Sequence, residues 1–178
     1  MALPRPKSLL AGVWMRCEQA VALLERLQPP AQLVARLYVA SVFFRSGLTK
    51  LRDWDTTLAL FSDEYHVPLL NPVVAAYIGT AGEIALPVLL VLGLSGCFAA
   101  AGLFVLNIVA ALSLAEIADA ALQQHVFWGS LLAALLLWGP GRWSLDRVLA
   151  PPLRAWALVA STITTESGPT DRIARPSA

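Results

Sequence analysis

Charge is scarce in this 178-residue chain: 14% of its residues are charged, 57% are hydrophobic, and mean hydropathy is +0.65. Ordinary soluble domains carry about a quarter charged residues, and a globule this poor in charge cannot cover its surface in water. The shortage points to lipid as the solvent. Net charge is only +1, so the basic face with which a protein neutralises nucleic-acid phosphates is missing and nucleic acid is excluded as a partner. Cysteine is as scarce. Cys17 and Cys97 stand far apart, which excludes a disulfide-dense secreted scaffold and any Cys-x-x-Cys redox or zinc motif. No nucleophile–base arrangement, glycine-rich phosphate loop or His-Glu-x-x-His helix occurs.

Long apolar runs are what the chain does have. A membrane crossing takes about 20 mostly apolar residues, and four windows qualify: 31–51, 72–93, 95–115 and 122–138. Lipid offers backbone amides no partner, so the windows are expected to be helices. The expected fold is all-α, an integral membrane four-helix bundle. Asn71-Pro72 reads as an N-cap with proline at the first helical position. Gly93-Leu94-Ser95-Gly96 is a tight antiparallel connection, Gly139-Pro140-Gly141 a sharp stop, and Pro87 a kink inside the second window.

The basic residues give an orientation. Arg5, Lys7, Arg16 and Arg26 precede the first window, and Arg142, Arg147, Arg154, Arg172 and Arg175 follow the last. By the positive-inside rule both termini are cytoplasmic, N-in and C-in. The outer connections then hold Asp53, Asp55, Asp63, Glu64, Glu116 and Asp119, with His66 and His125 on the same side. Trp54, Tyr65 and Trp128 suit an outer aromatic belt, and Trp138 and Trp143 an inner one. Residues 1–29 repeat apolar side chains at helical spacing (Leu10, Val13, Trp14, Cys17, Val21, Leu24) and read as an amphipathic helix on the inner membrane surface. Residues 30–150 form the membrane domain, and 151–178 a cytoplasmic tail, partly disordered.

Ionisable groups at mid-bilayer cost about 3 kcal/mol or more on insertion scales, so each marks a candidate site. Arg36, Arg45 and Glu83 are such residues, and Lys50 at the end of the first window and the uncharged polar Asn107 in the third complete the candidate set. At 100° per residue Arg36, Phe43, Gly47 and Lys50 share one helix face, and Arg45 points the other way. The expected buried pair is Arg36–Glu83, with Arg45 reaching towards the outer acidic connection. Such a pair either fixes helix register or serves function, relaying protons or holding a quinone carbonyl. His125, His66, Glu64 and Glu116 are ligand types for copper or a divalent ion, although their spacing matches no established motif. Cys17 and Cys97 are expected as packed thiols on the cytoplasmic side.

These motifs together resemble the DoxX family of bacterial four-helix membrane proteins. Arg36-Leu37 through Gly47-Leu48-Thr49-Lys50-Leu51 is similar to its opening pattern, and Gly82-Glu83 with Leu92-Gly93-Leu94 to its second span and the turn after it. Gly139-Pro140-Gly141-Arg142-Trp143-Ser144-Leu145-Asp146 resembles its end signature, so the likeness runs from Leu33 to Leu149. Residues 54–68 with His125-Val126-Phe127-Trp128-Gly129 resemble a subgroup encoded beside maturation proteins for copper-binding peptides. The resemblance implies a link to thiosulfate:quinone oxidoreductase and to thiol-oxidative stress. The paired thiols of disulfide-forming quinone enzymes are missing here, so that chemistry does not transfer. The expectation is a redox or metal-stress membrane component, with quinone or copper as the implied cofactor. Its partners would be membrane lipids and proteins of a membrane complex, with a homo-oligomer compatible. A metal or peptide transport partner and a structural anchor without catalysis stay open as alternatives.

Overall fold

A computed structural model describes residues 6–114, 116–139, 141–149 and 151–152, with side chains described from residue 10. Arg5, the Lys7 side chain, Pro140, Arg154, Arg172, Arg175 and the rest of the tail beyond 152 lie outside the described residues. Among the described residues five helices with defined bounds follow one another: α1 (Pro6–Arg52), α2 (Trp54–Asp63), α3 (Pro72–Leu92), α4 (Gly96–Ser113) and α5 (Asp119–Trp138), and residues 145–149 and 151–152 are helical as well. Among the described residues there is no strand, only an isolated bridge between Tyr65 and Leu114.

Three of the expected windows appear close to their expected bounds as α3, α4 and α5, each long and apolar enough to cross a membrane. The window 31–51 lies within α1 and is not among those three, because Gln32, Arg36 and Arg45 hold its hydropathy down. Asn71 caps α3 by accepting from the Val73 amide at 2.9 Å, with Pro72 opening the helix. Pro87 lies inside α3 without ending it. Residues 93–95 turn the chain back into α4, with Gly93 (φ +66°) and Ser95 (φ +48°) both left-handed.

Two expectations are corrected here. The N-terminal stretch and the first window were expected as separate elements meeting at residues 29–30, yet α1 runs unbroken through Pro29 and Pro30. Proline's fixed φ is compatible with the helix; what it removes is a donor on each residue. From Leu10 to Gln28 every side chain except that position at Gly12 is exposed, so this part of α1 stands clear of the other helices. The first acidic connection is in fact the helix α2. Asp53 caps it, accepting from the Thr56 amide at 3.0 Å and the Thr56 hydroxyl at 2.7 Å. Trp54, Leu58 and Phe61 share its inner face and pack on Ala75 and Ala76 of α3.

α1 packs on α3, α3 on α4, α4 on α5 and α5 back on α1. Val39, Phe43, Leu90, Leu103, Leu132 and Leu135 fill the space between them. Outward faces are apolar as well: Val73, Val105, Val126 and Leu137 are exposed. That inverted surface is what a lipid-facing protein needs.

At the end opposite α2, the chain after α5 folds back and closes the helices. The Asp146 carboxylate accepts from the Ser95 amide at 2.8 Å and the Gly96 amide at 3.0 Å. It thereby satisfies orphan donors at the start of α4 that Ser95 itself leaves uncapped. Glycine is required at 93 on two counts, its left-handed φ and its crowding: a Cβ there would meet Ser144 and Arg36 below 3 Å.

Candidate functional site

A cavity of about 600 Å³ lies between the helices at the α2 end. Phe43, Ser46 and Lys50 of α1, Phe61 of α2, Gly79 and Glu83 of α3, Leu106 and Ser113 of α4, and His125 and Trp128 of α5 wall it. Tyr65 and Val67 close it from the segment after α2. That segment is tied across to α4, since the His66 amide donates to the Ser113 carbonyl at 2.9 Å. Burial first, then the carboxylates of Glu64 and Glu83, raise the Tyr65 hydroxyl above its ordinary pKa, so it stays a neutral donor.

Two polar pairs stand in these otherwise apolar walls. Lys50 Nζ donates to Glu83 Oε1 at 2.5 Å, with side chains 19% and 10% exposed. Lys50 has further N–H groups to offer, and Glu83 Oε2 and Thr80 Oγ1 are buried without a partner. Asn107, 4% exposed, meets the wall residue His125 twice. Asn107 Nδ2 donates to the His125 carbonyl at 2.9 Å, and Asn107 Oδ1 lies 2.9 Å from His125 Nδ1. Gly129 makes room, because a Cβ there would come 3.1 Å from Asn107 Nδ2. The His125 ring meets Trp128 edge to face at 5.2 Å, and Trp128 meets Phe43 in the same way at 6.1 Å. Trp128, expected in an aromatic belt, is thus half-buried in the cavity wall.

The expected Arg36–Glu83 pair does not form. Arg36 is 2% exposed at the opposite end, where Nη2 donates to the Trp143 carbonyl at 2.6 Å, while Nε and Nη1 have no partner. The expectation set the ends of α1 and α3 level. In fact Gly47 lies opposite Glu83, since a Cβ on it would come 3.1 Å from the Glu83 Cβ. Glu83 is 11 residues into α3 and Gly47 is 5 from the end of α1. α3 therefore projects past α1 by roughly 9 Å, at about 1.5 Å per residue, and α2 covers the projection. Lys50, one turn beyond Gly47, is the cation within reach. Arg45 is exposed and makes no side-chain hydrogen bond or ion pair among the described residues.

Among the described residues no three His, Cys, Asp or Glu side chains gather as a metal-holding group. His125 is half-buried on Asn107, whereas His66, Glu64 and Glu116 are exposed, so the set does not suit a copper ion. His66 Nδ1 lies 3.2 Å from the Glu64 carbonyl, a contact within one turn of chain. Cys17 and Cys97, expected as packed thiols, are both free and exposed, although Cys97 Sγ reaches the Leu136 carbonyl of α5 at 4.0 Å.

The Asn107–His125 pairing was the feature least accessible to sequence reasoning. Its one signal was Gly129, a small residue one turn after His125. The α2 face was readable, from Asp53 three residues before Thr56 and apolar residues at 54, 58 and 61.

No curated protein and no solved structure matches this chain. A protein-family model does match, and the match covers Arg36, Lys50, Glu83 and Asn107 but stops short of His125 and the 139–146 signature: residues 31–116, from within α1 to just past α4, fit the family model described as DoxX.

Proposed function

We propose that this chain is a four-helix component of the bacterial inner membrane, with both ends cytoplasmic, that holds a quinone-type headgroup and serves a redox or stress system together with protein partners. The observation that carries this reading is the cavity: about 600 Å³, mostly apolar in its walls, with the Lys50–Glu83 pair and the Asn107-held His125 among them. A headgroup of that kind needs a flat apolar slot and a few donors and acceptors at its rim. Lys50 would supply donors to a carbonyl, Tyr65 a further O–H, and Glu83 would hold the Lys50 side chain in place. The DoxX match supports a membrane setting. Copper finds no gathered ligand set among the described residues.

The test is purification of the full chain followed by extraction of bound quinone, and quinone reduction with thiosulfate or thiols supplied as donor. Bound quinone, and turnover that drops by an order of magnitude or more in Glu83→Gln, is the expected result. Neither quinone nor turnover, with Glu83→Gln indistinguishable from wild type, rejects the reading.

A further inference from the structure

The Asn107–His125 pair fixes more than position. Asn107 Nδ2 donates to the His125 backbone carbonyl, and a carbonyl only accepts, so the orientation of the amide is determined. Oδ1 is then the atom 2.9 Å from His125 Nδ1. An amide oxygen accepts, so Nδ1 must carry the ring proton. In the neutral ring this leaves Nε2 as a bare acceptor, without a partner among the described residues. Gly129 permits the close approach that sets this up, and Trp128 bears edge to face on the ring. The histidine so fixed stands in the cavity wall.

We propose that His125 Nε2 is the acceptor by which the cavity selects a lipophilic ligand carrying a hydroxyl donor, with Asn107 as its positioning residue. The inference rests on the quinone-type reading above and narrows it to the reduced, hydroxyl-bearing form. A quinone carbonyl is an acceptor only and gains nothing from a bare ring nitrogen, whereas a hydroquinone O–H pairs with it. Lys50 does not discriminate in this way, because its N–H groups serve a carbonyl and a hydroxyl oxygen alike. Glu83 Oε2, the unpaired carboxylate oxygen among the wall residues, is itself buried from contact, and the hydroxyls of Ser46 and Tyr65 both donate and accept, so they favour neither form.

The experiment is equilibrium binding to the full chain in detergent, without oxygen, of three probes: decylhydroquinone, its dimethyl ether and decylquinone. The hydroquinone is expected to bind roughly tenfold tighter than the other two, the scale of one hydrogen bond made or left unmade. His125→Phe, which keeps a ring against Trp128, should bring the three within about twofold. Nitrogen-15 spectra of the histidine side chains report the tautomer directly in the wild type, with His66→Gln giving the assignment. His125 is expected with Nδ1 protonated and Nε2 bare, and Asn107→Leu should convert it to a mixture while lowering the hydroquinone preference. Equal binding of hydroquinone and ether by the wild type overturns the proposal. So does a wild-type ring protonated on Nε2, or a preference that survives His125→Phe. Binding without preference rejects this inference alone; no binding of any probe rejects the quinone reading with it.

Discussion

Lys50 and Glu83 illustrate how few residues decide the interior of a charge-poor chain. Each is mostly withdrawn from water, and each has the other as its counter-charge. Removing one partner of a buried pair costs about 3–5 kcal/mol, whereas replacing both by apolar groups is often neutral. Lys50→Met should therefore lower thermal stability in detergent by an amount approaching that range, reduced because Nζ retains some exposure. The double variant Lys50→Met with Glu83→Leu should recover most of the loss. A single variant as stable as wild type would show that the pair is not felt by the fold. At this scale the helical wheel was a sound guide: Arg36, Phe43 and Gly47 are buried, Lys50 half-buried and Arg45 exposed, as 100° per residue requires. The partner of Glu83 was not legible, because a wheel gives rotation and carries no information about how far one helix slides along another.

Among the elements, α2 is a short helix whose first turn is held by the side chain of one capping residue, Asp53. Hydrogen bonds from the Thr56 hydroxyl and amide hold the Asp53 carboxyl below its ordinary pKa. A group with a depressed folded pKa stabilises the folded form above its unfolded pKa and loses that contribution as pH falls through the folded one. Amide exchange across residues 54–63 should accordingly speed up as pH drops below the usual carboxylate range, after correction for the intrinsic rate. Asp53→Ala should show the fast exchange already at neutral pH and little further change on acidification. If α2 exchanges at the same corrected rate throughout, the cap is not what holds it. The helix was readable from its cap and its apolar spacing, but a run of carboxylates makes a short helix look like a solvated loop. α1 offers the converse case. A proline pair reads as a boundary, yet its φ suits a helix, and only the surrounding chain decides whether the helix stops there.

For the whole molecule, the two ends of the helix cluster are built differently. The end near α2 keeps a cavity under a strap of chain, whereas the other is closed by Asp146 on the α4 amides and by Arg36 on the Trp143 carbonyl. The 139–146 signature thus serves as a clasp between the α3–α4 turn and α1. The proposed placement puts the clasp on the cytoplasmic side, where Arg16, Arg26, Arg142 and Arg147 also lie. Cys17 and Cys97 are exposed towards that same end and provide natural labels. A membrane-impermeant maleimide should leave both unmodified in intact cells and label both in inverted vesicles. Labelling in intact cells would reverse the orientation.

The sequence by itself determined the solvent and the three apolar helices. Both follow from composition and periodicity, which act locally and do not depend on neighbours. It also marked the residues that oppose the membrane, because a polar side chain in an apolar run is visible without any structure. Only the tertiary structure decided which of them meet. The projection of α3 past α1 gave Glu83 to Lys50 and left Arg36 to the clasp, and the close approach at Gly129 gave His125 to Asn107. Those outcomes depend on axial offsets of a few ångströms between helices, and packing sets them.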